Sequence, residues 1–66
     1  MQILVNGAPS QLPHYSRVTD LIEQLGYTGK RIAVELNGEI VPKSQHPETS
    51  LAEGDRLEIV VAVGGG

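Results

Sequence analysis

Apolar and polar residues alternate with a period of two in several stretches of the chain, which is typical of β-strands with one buried face. The predicted strands are residues 1–6, 10–12, 32–36, 39–41 and 57–63. In the first of them, Met1, Ile3 and Val5 share one face. A β-branched run at residues 59–61 indicates that the last strand is central and has a partner on both sides.

A helical period interrupts these strands once. Val18, Leu21, Ile22 and Leu25 are spaced so that they fall on one face of a helix. Gly26 follows at the position where a glycine commonly ends a helix. Because the predicted helix is short, it needs to pack against a sheet to be stable.

Two Asn-Gly dipeptides, Asn6-Gly7 and Asn37-Gly38, each lie between two predicted strands and predict tight hairpins. Residues 43–50 are polar and predict a loop or a single helical turn. The elements together predict an α+β fold, with a mixed four- or five-stranded sheet and one helix packed on one face. The pattern does not determine strand order, although a right-handed crossover restricts where a strand parallel to the first can lie.

Composition narrows the classes of protein that fit. The chain has 66 residues, enough for one domain, and lacks Cys, Phe and Trp. Its core must therefore be built from aliphatic residues, and disulfides and thiolate zinc sites are excluded. The net charge is −3 and no apolar run is long enough to span a bilayer. We expect a monomeric cytoplasmic protein that does not bind a membrane. We also expect no binding to nucleic acid, because the basic residues are scattered along the sequence, at Arg17, Lys30, Arg31, Lys43 and Arg56.

The chain closes on three glycines, Gly64, Gly65 and Gly66. We predict a folded domain over residues 1–63 and a flexible tail over residues 64–66, because glycine loses more backbone entropy on ordering than any other residue. Three extended residues reach about 10 Å, and a chain without Cβ atoms fits a narrow enzyme channel. A terminal carboxylate activated by ATP can accept a sulfur nucleophile or an amine. Terminal glycines alone also fit a frayed end without function.

The remaining residues offer little for catalysis. His14 and His46 are far apart in sequence and have no carboxylate at ligand spacing. No paired acid and base and no nucleophile with a base is evident, so we expect no catalytic residue and no metal site. Leu4, Val60 and Ala62 are predicted on the sheet face away from the helix. They indicate either a docking patch for a partner or ordinary surface apolar residues.

Four segments, residues 1–7, 18–26, 33–42 and 53–66, carry a resemblance to a known family. The resemblance covers nearly the whole chain and is specific in combination rather than in any one motif. With these segments the sequence resembles the ThiS family, the sulfur carriers of thiamin biosynthesis, which are ubiquitin-like proteins with a β-grasp fold.

The resemblance implies a protein co-substrate rather than an enzyme. An E1-like adenylyltransferase would activate the Gly66 carboxylate with ATP and magnesium, which belong to that partner, so no cofactor is expected on this chain. A sulfur donor system would convert Gly66 to a thiocarboxylate, and thiazole synthase would accept the sulfur. Gly64 and Gly65 would thread into the partner. The alternatives are the small subunit of molybdopterin synthase, which shares the fold and the diglycine end, and a non-covalent β-grasp interaction module.

Overall fold

The computed structural model describes residues 1–62, which form five strands, one α-helix and one 3₁₀ turn. The elements are β1 (Gln2–Val5), β2 (Ala8–Gln11), α1 (Val18–Gln24), β3 (Ile32–Leu36), β4 (Glu39–Val41), the 3₁₀ turn (Lys43–Gln45) and β5 (Arg56–Val61). The predicted continuation of the last strand to Val63 and the predicted tail at residues 64–66 lie outside the described residues.

The five strands form one mixed sheet in the order β2-β1-β5-β3-β4. Strand β5 is central, as its β-branched run predicts, and pairs parallel with β1 and antiparallel with β3. The helix supplies Val18, Leu21 and Ile22 to the same buried cluster as the inward residues of the strands. This arrangement is the predicted β-grasp fold, with five strands rather than four.

Both ends of α1 follow from local chemistry. At its start, the carboxylate of Asp20 accepts a hydrogen bond of 2.7 Å from the Arg17 backbone amide. This contact satisfies one of the donors that a helix start leaves free, and it places negative charge at the positive end of the helix dipole. At its end, Gly26 adopts a φ of 76°, as the stop signal predicts.

Strand β2 begins at Ala8, two residues earlier than the sequence predicts. Asn6 and Gly7 have φ angles of 51° and 81° and form a two-residue turn with both φ angles positive, so β2 follows it at once. Pro9 lies within β2, which is tolerated because β2 is an edge strand. The predicted bounds of residues 10–12 were therefore wrong at both ends, since β2 is Ala8–Gln11.

The side chain of Asn6 extends the pairing between β1 and β5 beyond the end of β1. Its Oδ1 accepts a hydrogen bond of 2.8 Å from the Ile59 amide, and its Nδ2 donates one of 3.1 Å to the Ile59 carbonyl. The carboxamide thus behaves as an additional peptide group in the parallel ladder. It satisfies both backbone groups of a β5 residue that β1 is too short to reach.

Asn37 lies on the other side of β5, at the beginning of the strand, and its side chain satisfies one backbone group of β5. Its Oδ1 accepts a hydrogen bond of 3.0 Å from the Arg56 amide, and its Nδ2 donates one of 3.1 Å to the Asp55 carboxylate. The second Asp55 oxygen accepts a hydrogen bond of 2.7 Å from the Ala52 amide, and this contact closes the turn before β5. We call Asn6 and Asn37, with these contacts, the asparagine clasps.

One feature of the sheet opposes its stability. Glu35 and Glu58 are direct partners in the β3–β5 register, on the face away from the helix. Like charges at directly opposite positions repel, by up to about 1 kcal/mol. Glu35 is half-buried, which reduces screening by solvent. Arg56 lies on the same face and lines the same surface pocket as both carboxylates, so its positive charge offsets part of this repulsion.

We expect Asn6→Gly to destabilise the protein by about 1–3 kcal/mol, because Gly tolerates the positive φ but leaves both Ile59 backbone groups without their partner. Denaturant unfolding measures the loss, and amide exchange should accelerate at Ile59 more than at Val34. The control is Gly7→Ala, which strains the same turn but removes no hydrogen bond. Equal exchange rates at Ile59 in the two variants would contradict the role of the clasp.

We expect Glu58→Gln to stabilise the protein by about 0.5 kcal/mol, because it removes the repulsion with Glu35. Thermal unfolding at low salt measures the gain, which should shrink as salt screens the wild-type pair. The exposed Glu48 provides the control, since Glu48→Gln changes the net charge equally. An identical gain in both variants would mean that net charge, not the pair, is responsible.

Candidate functional site

The end of β5 is held unequally on its two sides. Toward β3, Val61 pairs with Ile32, and the Ala62 amide donates a hydrogen bond of 2.8 Å to the Arg31 carbonyl. Toward β1, the last contact in residues 1–62 is the clasp at Ile59. Alternate residues of a strand direct their backbone N–H and C=O groups to opposite neighbouring strands. The N–H and C=O of Val61 therefore point to the side on which β1 has already ended. The chain therefore reaches Ala62 supported by β3 alone.

The predicted carrier residues Gly64, Gly65 and Gly66 lie outside the described residues, and their role stays a prediction. The structure does define the position from which they continue. Ala62 is exposed and follows the central strand directly. Within residues 1–62, the last element is β5, the central strand of the sheet.

The predicted docking residues lie on the face of the sheet away from the helix, but they do not form one patch. Val60 is 64% exposed, and Ala62 is exposed at the strand end. Leu4 is half-buried and lies opposite Arg56, four positions before Val60 along β5. At the rise of a β-strand, this offset separates Leu4 from Val60 by about 13 Å. The docking role of all three residues stays a prediction.

Sequence reasoning missed a further exposed apolar residue on this face of the sheet, two strands from Val60 and about 12 Å away at the spacing of strands and residues in a sheet. Ile40 is 75% exposed and pairs with Glu35, which in turn pairs with Glu58 on β5. Ala33 lies directly opposite Val60. The sequence contained a signal for this residue, because Ile40 and Val41 are successive residues of a strand and must point to opposite faces. In the structure Val41 is buried more deeply and Ile40 is exposed. We call Ala33, Ile40 and Val60 the exposed apolar face.

Polar residues considered for chemistry have structural contacts instead. The Ser16 hydroxyl donates 2.7 Å to the Pro13 carbonyl, and Nε2 of the buried His46 lies 3.1 Å from the Val41 carbonyl. The Glu53 carboxylate accepts a hydrogen bond of 3.0 Å from the Gln2 amide. Within residues 1–62, no group of His, Asp and Glu side chains is arranged to hold a metal ion.

The single α-helix among the described residues has seven residues, and no helix in residues 1–62 has the length and apolarity needed to cross a membrane.

The amino-terminal end of the sheet is closed by Met1. Its ammonium group donates 2.6 Å to the Leu12 carbonyl, and the Leu12 amide donates 2.9 Å back to the Met1 carbonyl. The end of β5 is the candidate site, because the residues predicted to carry the chemistry continue from it.

Comparison with known proteins gives consistent relatives. The model of the ThiS family matches residues 3–66. The chain is 32% identical to the sulfur carrier protein ThiS of Escherichia coli strain K12, and the alignment covers all of both proteins. It is also 39% identical to a thiazole synthase of Paramagnetospirillum magneticum, but it spans only 20% of the length of that protein.

Solved structures agree with the sequence comparison. The crystal structure of the thiamine biosynthesis protein ThiS from Geobacter metallireducens superposes with a TM-score of 0.83 at 33% identity, and both chains are covered in full. The order of strands, the helix and the central β5 are therefore those of a solved relative. Since the family model and these relatives cover almost the entire chain, this protein belongs to the ThiS family.

Proposed function

We propose that this protein is a sulfur carrier of thiamin biosynthesis, and that its reactive group is the carboxylate of Gly66. The observation that carries the proposal is the family match, which extends through Gly66 at the end of the chain that follows β5. The full-length similarity to a protein named as a sulfur carrier supports it. The proposal requires a free carboxylate on Gly66.

The first step activates that carboxylate. One Gly66 carboxylate oxygen attacks the α-phosphorus of ATP, pyrophosphate leaves, and an acyl-adenylate forms. An E1-like adenylyltransferase supplies ATP and magnesium, so this chain binds no cofactor of its own. Gly64 and Gly65 thread into that enzyme, because residues without Cβ atoms pass a narrow channel.

The second step introduces sulfur. A sulfur donor system, supplied from cysteine, provides a nucleophile that adds to the acyl carbon of Gly66, and AMP leaves with its pair of electrons. When the nucleophile is a persulfide of the donor, an acyl disulfide forms. A thiol then attacks the donor sulfur, the S–S bond to Gly66 breaks, a new disulfide forms on the donor, and the thiocarboxylate is released. Thiazole synthase then uses its sulfur to build the thiazole of thiamin. A thiazole synthase that contains a segment similar to this whole chain supports the choice of acceptor.

The architecture suits a co-substrate. The partner must hold the globular domain while the C-terminal residues enter its site, so the domain needs a recognition surface close to the end of β5. Val60 lies two residues before Ala62 and is mostly exposed. We propose that the exposed apolar face docks on these enzymes together with Ala62, and that Leu4, about 13 Å from Val60, makes a separate contact with them. We propose the cytoplasm as the site of this ATP-dependent reaction.

We expect incubation with the adenylyltransferase, ATP and a sulfur donor to replace one terminal oxygen by sulfur. Intact-mass spectrometry detects the change. Deletion of Gly66 should abolish the modification and leave thermal unfolding unchanged, because the buried core lies within residues 1–62. An unchanged mass with demonstrably active enzymes, or modification of the truncated chain, would refute the proposal.

Two further experiments separate the alternatives. A chain whose terminal carboxyl is capped as an amide should be inactive as a carrier, whereas a non-covalent interaction module would retain its function. The gene should rescue growth of a thiamin-requiring strain and not of a strain that lacks molybdenum cofactor. Rescue of the second strain alone would assign the protein to molybdopterin synthase instead.

We expect Val60→Ser to raise the KM of the adenylyltransferase for this protein about tenfold, because burial of a Val side chain contributes about 1.5–3 kcal/mol and about 1.4 kcal/mol corresponds to a factor of ten. Steady-state pyrophosphate release measures the change, and the fold should be unaffected because Val60 is mostly exposed. Tyr15→Ser provides the control, since Tyr15 is 94% exposed but lies in the loop before α1. Equal KM values for the two variants would argue against docking through the exposed apolar face.

A further inference from the structure

A groove with a basic rim lies on the helix side of the sheet, opposite the exposed apolar face. It has a volume of about 340 Å³ and lies between the second half of α1, the loop before β3 and the segment after β4. Lys30, Arg31 and Lys43 contribute the basic side chains, and Ile22 and Tyr27 contribute apolar surface. We call it the basic groove. Its volume falls in the range of sites that bind small molecules or short peptide segments.

The charge of the basic groove contrasts with that of the whole protein. The chain carries a net charge of −3, yet three of its five basic residues line this one groove. Glu23 is the single acidic residue among the lining residues, although the chain contains eight. A local reversal of sign of this kind favours a ligand of opposite charge and steers its approach.

The walls of the groove are fixed before any ligand binds. The Tyr27 amide donates 3.0 Å to the Ile22 carbonyl, and the Lys30 amide donates 3.0 Å to the Tyr27 carbonyl, so the loop is fastened to the helix. The Lys30 ammonium lies 5.7 Å from the centre of the Tyr27 ring, within reach of a cation–π interaction. On the opposite wall, His46 is buried and contacts the Val41 carbonyl. Binding therefore needs little additional ordering of the protein.

The groove also lies next to the candidate site. The carbonyl of Arg31, one of its lining residues, accepts the hydrogen bond from the Ala62 amide at 2.8 Å. Residues 63–66 span at most about 14 Å when fully extended. A protein that receives Gly66 in its own site must therefore come within a short distance of the basic groove.

We propose that the basic groove binds an acidic, extended peptide segment of the protein that accepts the C-terminal residues. Carboxylates of that segment contact Lys30, Arg31 and Lys43, and an apolar side chain between them packs on Ile22 and Tyr27. The apolar lining favours a peptide over a bare anion, and the net negative charge of the chain disfavours nucleic acid. The identity of the partner rests on the proposed function, whereas the preference of the groove for acidic peptide does not.

The first test uses the full chain and a fluorescent peptide of alternating Glu and Leu, with a Lys-Leu peptide of equal length as its counterpart. We expect the Glu-Leu peptide alone to bind, with amide chemical-shift changes at Tyr27, Lys30 and Lys43. Neutralisation by Lys30→Gln, Arg31→Gln or Lys43→Gln should each weaken binding about two- to fivefold, and the triple variant about tenfold or more. The matched control is Arg56→Gln, which removes the same charge outside the groove and should have no effect.

Each other outcome of this test overturns the proposal. Equal binding of both peptides would show apolar association, and shifts confined to Ala33, Ile40 and Val60 would place the peptide on the opposite face. If inorganic phosphate displaced the peptide at a concentration similar to that of the peptide, the basic groove would be a simple anion site. Thermal unfolding of every variant verifies that lost binding does not reflect lost structure.

The second test separates this inference from the proposed function. If wild-type protein is modified at Gly66, the triple variant should be modified about tenfold more slowly at low salt, with most of the salt dependence lost. Modification of the triple variant at the wild-type rate and with the wild-type salt dependence would refute partner binding through the basic groove and leave the carrier function intact. Absence of modification in the wild type would refute the carrier function. The peptide measurement would still decide whether the basic groove binds acidic peptide.

Discussion

The fold depends on keeping β5 in register between two strands that run in opposite directions. Strand β5 supplies Leu57 and Ile59 to a core that contains no aromatic ring among its fully buried residues. Neither neighbour spans the full length of β5, and the asparagine clasps supply the missing hydrogen bonds, one near each end. In so small a core, each satisfied backbone group contributes a considerable share of a marginal stability.

A sheet covered by one helix has two different surfaces, and this protein uses them differently. The open face combines the exposed apolar face with the paired carboxylates of Glu35 and Glu58. The helix side contains the basic groove. Both surfaces lie beside the end of β5, so a partner that surrounds this end meets apolar and acidic groups on one side and basic groups on the other. Such asymmetry allows only one orientation of the domain.

The sequence predicted most of the elements, because burial imposes a period of two on strands such as β3 and one of 3.6 on α1. The two Asn-Gly turns were also predictable, since few other dipeptides tolerate two positive φ angles. Strand order was not, because alternation records which face is buried and not which strand is adjacent. The contacts of Asn6 with Ile59 and the convergence of Lys30 with Lys43 were missed for the same reason. Both join residues that only the folded topology brings together.

The clasps also bear on the chemical ageing of the protein. Asn-Gly is the dipeptide in which the following amide nitrogen most readily attacks the side-chain carbonyl, giving a succinimide and then aspartate or isoaspartate. Hydrogen bonds to β5 restrain the rotation that this ring closure needs, so the folded state slows the reaction at its most susceptible positions. Once deamidated, residue 6 would direct a carboxylate oxygen at the Ile59 carbonyl, where an N–H donor had been. The damage would loosen β5 closest to the residues that follow it, and the oldest molecules in a population would then lose carrier function before they lose their fold.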